Sequence, residues 1–129
     1  MKSVKEMKVY KMAFQVSLDT YQLTESFPRD EQFGLVSQMR RAAVLICSNL
    51  VEGCYRGTTK EYLHFVYVAR GSAAELDCQL DLSKALGFVR EPFAQKLKNN
   101  IGEILKMLSG LISKLTSLST NHYPLTTGV

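Results

Sequence analysis

An apolar heptad pattern near the C-terminus constrains the fold of this chain more than any other feature of its sequence. Its members are spaced alternately by four and three residues: Leu97, Ile101, Ile104, Leu108, Leu111, Leu115 and Leu118. On an α-helix this spacing places the side chains on one face and favours packing against another helix at a shallow angle. Leu105 and Ile112 widen the stripe enough to cover the core of a bundle. The sequence therefore predicts a core-facing helix over residues 92–118.

Three earlier segments have a similar amphipathic pattern. We predict that they form helices over residues 9–27, 33–53 and 59–86. Pro28 ends the first helix, and Gly53 is the expected C-terminal stop of the second. Thr58 and Glu61 match a capping box, Thr-x-x-Glu, which marks the start of the third helix.

Four such helices with short connections define the predicted fold class. Residues 1–118 are expected to form one all-α domain, an antiparallel up-down-up-down four-helix bundle. No alternating strand pattern and no internal repeat competes with this interpretation. Residues 119–129 lack the apolar pattern and are predicted to form a flexible tail.

Composition narrows the class of protein. The chain is 46% hydrophobic and 22% charged, which is typical of a globular protein and not of a disordered one. The sequence has neither a secretory signal nor a run of about 20 apolar residues that would span a membrane, so we expect a cytoplasmic protein. In that compartment Cys47, Cys54 and Cys78 are expected to be reduced thiols with the role of small buried side chains.

The second predicted helix has more apolar surface than one bundle core needs. Beyond its inner face it carries five further apolar residues, Val36, Val44, Leu45, Cys47 and Val51. A helix that is apolar nearly all round is normally buried on more than one side, so we predict that another subunit covers it. The alternative is that the N-terminal arm or the loops of the same chain cover it.

Five charged residues on the second and third helices invite pairing: Arg40, Arg41, Glu52, Arg70 and Glu75. A charge close to a core must be neutralised and hydrogen-bonded, so we predict an interhelical or intersubunit network of Arg and Glu. The alternative places Arg40 or Arg41 on RNA phosphates.

Basic residues near the N-terminus and between the second and third helices are candidates for nucleic-acid contact. The net charge is +4, from 16 basic and 12 acidic residues. The candidates are Lys2, Lys5, Lys8, Lys11, Arg56 and Lys60. An oligomer would repeat them and multiply a modest attraction for phosphates. The alternative is a solvated, lysine-rich terminus that promotes solubility.

The sequence offers no recognisable catalytic or metal site. Glu61 and His64 have the Glu-x-x-His spacing of di-iron bundles, but a second such motif is missing and the other histidine is His122. No nucleophile elbow, phosphate-binding loop or Cys-x-x-Cys pair is present. The isolated Gly71 is expected to serve close helix packing. We therefore predict a protein that is not an enzyme and that holds no metal or other cofactor.

Two stretches of sequence resemble a known family. They are SQMRRAAVLICSNLVEG at residues 37–53 and RGTTKEYLHFVYVARGSAAELDCQLDLSKALG at residues 56–87. They are similar to the bacterial four-helix-bundle family named for the 23S rRNA intervening-sequence protein. FPRDEQFGL, at residues 27–35, resembles that family's link between helices one and two.

The resemblance implies an antiparallel bundle that assembles as a ring-like homopentamer. A related branch of the family, the accessory variability determinant of diversity-generating retroelements, is thought to bind nucleic acid and a reverse transcriptase. The family brings no established catalytic residue. With the residue patterns, it predicts a non-enzymatic homo-oligomer that binds rRNA or DNA as a scaffold or accessory protein, with a nucleic-acid-processing protein as a further candidate partner. The alternative is a protein-protein assembly module that does not bind nucleic acid.

Overall fold

The computed structural model describes residues 3–122, and it describes side chains through residue 118. A 3₁₀ turn at Val4–Glu6 precedes the first helix, and another at Arg29–Glu31 precedes the second. The helices are α1 (Lys8–Thr24), α2 (Leu35–Cys54), α3 (Thr59–Ala85) and α4 (Phe93–His122). Each helix packs on the next, and α1 also packs on α4. The predicted all-α four-helix bundle is confirmed.

The predicted apolar faces meet in one core. Its fully buried members include Val16, Met39, Ile46, Leu50, Leu76, Ile101, Ile104 and Leu108. The heptad pattern of α4 is buried through Leu108 and again at Leu115, whereas Leu111 is half-buried and Leu118 is exposed. Leu118, the last residue of the predicted stripe, therefore lies outside the core, because a sequence pattern does not reveal how far the neighbouring helices reach. Within residues 3–122, no helix combines the length and the apolar character needed to cross a bilayer.

Two helix boundaries differ from the prediction at the link between α1 and α2. α1 ends at Thr24, and Phe27 is buried outside the helix with its ring 5.5 Å from that of Phe88. Pro28 disfavours helical geometry at the residue before it, so the helix ends earlier than its apolar pattern does. α2 begins at Leu35 and not at residue 33, because Gly34 has a non-helical backbone (φ −113°, ψ −109°).

The role predicted for Gly53 is wrong. The helix continues to Cys54, and Gly53 is buried against α3. A Cβ atom at this position would lie 2.9 Å from Phe65 Cβ and 2.9 Å from Tyr62 Cδ1. The glycine is therefore needed for close helix packing and not for a C-terminal cap.

The signal that predicted the start of α3 is confirmed, and a glycine closes its other end. The backbone N–H of Glu61 donates to Thr58 Oγ1 at 3.1 Å, which caps the start of the helix. Gly87 has φ +79°, and the N–H of Phe88 returns to the Ser83 carbonyl at 2.9 Å, which closes its end.

The predicted end of the last helix is wrong, since α4 continues through His122 and includes residues 119–122 of the predicted flexible tail. Polar residues extend an existing helix readily because each one adds a backbone hydrogen bond without a new nucleation step. The rest of the predicted tail, residues 123–129, lies outside the described residues.

Candidate nucleic-acid interface

The turn at Val4–Glu6 holds the first lysines against the bundle. The N–H of Ser3 donates to Glu6 Oε1 at 3.1 Å, and the N–H of Glu6 donates to the Ser3 carbonyl at 3.0 Å. Val4 is buried in the core cluster, so the turn is anchored and does not extend into solvent. Lys5 is thereby placed at a defined position.

The loop between α2 and α3 lies against this turn. Val4 and Met7 share a hollow of about 530 Å³ with Gly57 and Tyr62. Burial, and then the neighbouring Cys54 thiol, raise the pKa of the Tyr62 phenol well above its ordinary value. The phenol donates to Met7 Sδ at 3.9 Å. These contacts bring the N-terminus and the loop to the same end of the bundle.

Four lysines project from this end, and we call them the basic end: Lys5, Lys8, Lys11 and Lys60. All four are exposed, and none forms an ion pair with a carboxylate of the described residues. Lys8 and Lys11 line a shallow depression of about 250 Å³ together with Asn100 of α4. Cations in the first turn of a helix oppose its dipole, so the helix itself does not favour this placement.

Two other predicted members of the interface differ from these lysines. Arg56 Nε lies 3.0 Å from Glu52 Oε2, and its guanidinium carbon is 4.9 Å from the centre of the Phe65 ring. The Glu52 carboxylate offsets the charge of Arg56, which makes this arginine a weaker phosphate ligand than the sequence suggested. Lys2 lies outside the described residues.

Two of the three arginines of the predicted polar network, Arg40 and Arg70, bind uncharged partners on neighbouring helices. Arg40 Nε donates to Thr24 Oγ1 at 2.9 Å, and its Nη2 donates to the Tyr21 carbonyl at 3.2 Å, which ties α2 to α1. Arg70 Nη1 donates to Ser109 Oγ of α4 at 3.2 Å. Hydroxyl and carbonyl oxygens thus replace the carboxylates that we expected.

The network of Arg and Glu is therefore not formed within the described part of the chain. Glu52 pairs with Arg56 of the loop, which lies outside the predicted network. Arg41 and Glu75 are exposed, and neither forms an ion pair with another described residue. An intersubunit form of the network stays a prediction.

The chain itself covers much of the apolar surplus of α2. Val36 is buried, and Leu45, Cys47 and Val51 are half-buried, whereas Val44 is exposed. The two 3₁₀ turns contact α2 in addition to α1 and α3. The alternative for this helix, cover from its own chain, therefore accounts for most of the surplus.

A larger apolar surface is exposed on α1. Phe14 and Leu18 are 49% and 52% exposed, and we call this pair the α1 apolar face. The Tyr10 ring lies 6.1 Å from that of Phe14 and extends the face by one turn. The sequence did not single out this face, because its apolar residues are separated by polar ones.

Sequence reasoning also missed an aromatic residue beside α2. Phe33 is the first residue of the predicted helix, but it lies before the observed one and is 95% exposed. Gly34, directly after Phe33, is the signal that could have placed it outside the helix.

The residues tested for metal binding have other contacts. The Thr58 hydroxyl donates to Glu61 Oε2 at 3.1 Å, and the exposed His64 ring packs edge-on against Phe65 with 5.1 Å between ring centres. No three His, Cys, Asp or Glu residues of the described chain are grouped so that they could hold a metal ion.

The cysteines and Gly71 have surroundings other than those predicted. Cys54 and Cys78 are exposed, and only Cys47 is half-buried, so the thiols are not a set of core side chains. Gly71 is exposed, and a Cβ atom there would meet nothing within 4 Å, so it does not serve helix packing in the chain.

Comparison with known sequences identifies the family. A profile described as the 23S rRNA-intervening sequence protein matches residues 5–110, which include the basic end. The chain belongs to the 23S rRNA-intervening sequence protein family. The resemblance found at residues 27–87 is thereby confirmed and extends into α1 and α4.

A solved structure supports the fold of this family member. It comes from Bacteroides thetaiotaomicron and is described as a protein of unknown function from the S23 ribosomal protein family. The TM-score is 0.75 at 18% sequence identity, over 81% of this chain and 95% of that chain. Likeness at this identity shows the fold alone. No curated protein matches the chain at a significant level.

Proposed function

We propose that the protein is a non-enzymatic, homo-oligomeric four-helix bundle that binds RNA or DNA as a scaffold or accessory protein. The observation that supports this most is the basic end, where Lys5, Lys8, Lys11 and Lys60 are exposed without an ion pair to the described residues. Uncompensated lysines at one end of a molecule attract polyanions over a long range. The description of the family contains the name of an RNA, 23S rRNA, and a nucleic-acid ligand is consistent with that description.

Lysines contact phosphates as point charges and do not read bases. The basic end should therefore bind structured RNA and duplex DNA with little sequence preference and with strong dependence on salt. Specificity, where it exists, must come from other residues or from a partner protein.

Self-association would strengthen this binding. The α1 apolar face supplies surface for a second copy, and a closed ring would present one basic end per subunit. Several weak sites on one particle act together on a polyanion and raise its overall affinity. A homopentamer is the assembly that the sequence resemblance implied.

The proposal is tested by removing the charge of the basic end. A Lys5→Gln/Lys8→Gln/Lys11→Gln/Lys60→Gln variant is titrated with 23S rRNA fragments and duplex DNA between about 50 and 200 mM salt. We expect at least tenfold weaker binding and a salt slope reduced by about 0.9 for each phosphate that a lysine no longer neutralises. The control Lys84→Gln/Arg90→Gln/Lys96→Gln/Lys106→Gln removes the same charge elsewhere and should bind nearly as the wild type does.

An equal loss of affinity in both variants would show that only net charge matters, and absence of binding by the wild type at low salt would refute nucleic-acid binding. The second candidate function, a protein-protein assembly module, is favoured by the exposed α1 apolar face. It predicts a stable oligomer that binds no nucleic acid and that retains a protein partner after nuclease treatment.

A further inference from the structure

A groove between α1 and α2 lies well away from the basic end. Its volume is about 510 Å³, and we call it the aromatic-arginine groove after its lining residues Tyr21, Phe33, Ser37, Arg40, Arg41 and Val44. Tyr21 is about 20 Å along the α1 axis from Lys8. The groove is thus a separate surface of the molecule.

The groove offers aromatic ring faces. Phe33 is 95% exposed and belongs to neither the core cluster nor a helix. Tyr21 is also exposed, and the Arg40 guanidinium carbon lies 4.5 Å from its ring centre. Stacking of a planar group on an apolar ring so exposed to water lowers the free energy, because it removes apolar surface from water.

The groove is also positively charged. The hydrogen bonds of Arg40 to Thr24 and Tyr21 fix its position. Arg41 is exposed and has no ion-pair partner among the described residues. None of the described residues that line the groove is acidic. The nearby Glu31 carboxylate accepts the N–H of Leu35 at 3.1 Å. An occupant with both a planar ring and a negative charge matches these features.

We propose that the groove binds an unpaired nucleotide of single-stranded RNA or DNA, with its base stacked on Phe33 and its phosphate paired with Arg41. Stacking on an aromatic side chain requires a base whose face is free, which a base inside a duplex does not offer. An acidic peptide would use the arginines and leave the Phe33 ring in water, so it satisfies fewer of the features. The inference rests on the proposed nucleic-acid binding and adds a strand-selective contact to it.

The test uses a single-stranded RNA oligonucleotide that contains 2-aminopurine, whose fluorescence falls when the base stacks. Phe33→Ala should reduce this quenching and weaken single-strand binding about tenfold, while duplex binding stays unchanged. Phe33→Trp should retain both signals. Arg41→Gln should weaken binding and lower the salt slope by about one. The matched controls are Tyr67→Ala, an aromatic residue beside Arg70 outside the groove, and Arg90→Gln, and both should bind as the wild type does.

Unchanged quenching and affinity in Phe33→Ala would overturn the inference. A Phe33→Ala variant with a changed particle mass but an unchanged affinity would also overturn the inference, because the groove would then be an interface between copies. Equal binding of a poly-glutamate peptide would show a site for acidic peptides instead. Wild-type protein that binds duplex but not single strands refutes only the groove. If the basic-end variant binds with full affinity and the Phe33→Ala variant does not, only the proposed role of the basic end is refuted.

Discussion

At the scale of single residues, Gly53 sets the distance between α2 and α3. The absence of a side chain lets α2 approach Tyr62 and Phe65, whose nearest atoms would lie 2.9 Å from an added Cβ. One of these atoms is Phe65 Cβ, which is fixed to the backbone and cannot move aside. The close approach of the two helices therefore depends on this one glycine.

Gly53→Ala should destabilise the protein although alanine favours helix formation. Overpacking of this kind costs about 1–3 kcal/mol, which exceeds the gain in helix propensity of about 1 kcal/mol. Urea denaturation measures the change. Gly110→Ala is the control, because an added Cβ there meets nothing within 4 Å, and it should be neutral or stabilising. Equal stabilisation by both substitutions would contradict the role assigned to Gly53.

Arg40 and Arg41 are adjacent in sequence, but their environments differ because neighbouring helical residues point in different directions. Arg40 is half-buried and binds α1, while Arg41 is exposed. The sequence identified both arginines as candidates for pairing, but the partner of each depends on which side chains of α1 lie opposite it. Thr24 and Tyr21 carry no charge, so charge matching alone could not have found them.

Arg40→Met should lower the free energy of unfolding by about 1–2 kcal/mol, because it removes two hydrogen bonds and a cation–π contact while keeping the apolar stem. Arg41→Met should change it by less than about 0.5 kcal/mol. Thermal and urea unfolding of the two variants provide the comparison. Equal effects would mean that the contacts of Arg40 add no stability.

At the scale of helices, α3 and α4 are joined by an ion cluster as well as by the core. Lys98 Nζ of α4 lies 2.8 Å from Asp81 Oδ1 and 2.9 Å from Asp77 Oδ1 of α3. The hydrogen bond to Asp81 raises the pKa of Lys98 above 10.5, although desolvation by burial opposes the rise. The ammonium is only partly shielded from water, so the cluster is a modest link between the helices.

The raised pKa of Lys98 predicts how stability depends on pH. The contribution of Lys98 is fully present below its unfolded-state value near 10.5 and is lost as the pH rises through the higher folded-state value. Lys98→Met should therefore be less stable than the wild type at neutral pH, and this difference should shrink above pH 10.5. Urea denaturation across this range measures it. A difference that stays constant would contradict the ion-pair account, and Lys106→Met serves as the surface control.

The helices themselves were predictable because core-facing residues recur with the helical period. The ends of the helices were less predictable from the sequence. The start of α3 was found from Thr58 and Glu61, since capping is a contact between neighbours in sequence. The end of α2 was missed because a glycine serves equally as a stop or as a point of close approach. Only the position of α3 distinguishes the two roles.

At the scale of the whole molecule, the exposed α1 apolar face is the surface through which we expect copies to associate. Phe14→Gln/Leu18→Gln should reduce the particle mass measured by light scattering, because burial of this face would no longer be favourable. Leu82→Gln/Leu86→Gln is the matched control, since these two residues near the end of α3 are 50% and 51% exposed. It should leave the mass unchanged. A wild-type protein that stays monomeric at all concentrations would refute self-association.

The candidate nucleic-acid site was predictable in part. Solvent-facing lysines can be predicted from the sequence, since a charged side chain is rarely buried. The structure shows that Lys5, Lys8, Lys11 and Lys60 are all exposed. That the N-terminal turn and the α2–α3 loop lie at one end depends on buried Val4 and on the contact between Met7 and Tyr62. These residues are far apart in sequence, and no local pattern connects them.

The sequence by itself determined that this chain forms four helices around one core, because its apolar residues recur at the spacing that places them on one face of each helix. It also determined the family, because residues 27–87 carry the family's motif. The tertiary structure decided that Arg40 binds α1 while Arg41 stays exposed, that Gly53 packs closely against α3, and that the α1 apolar face stays exposed. Those outcomes depend on side chains brought together from distant parts of the chain, whose partners are chosen only when the helices pack.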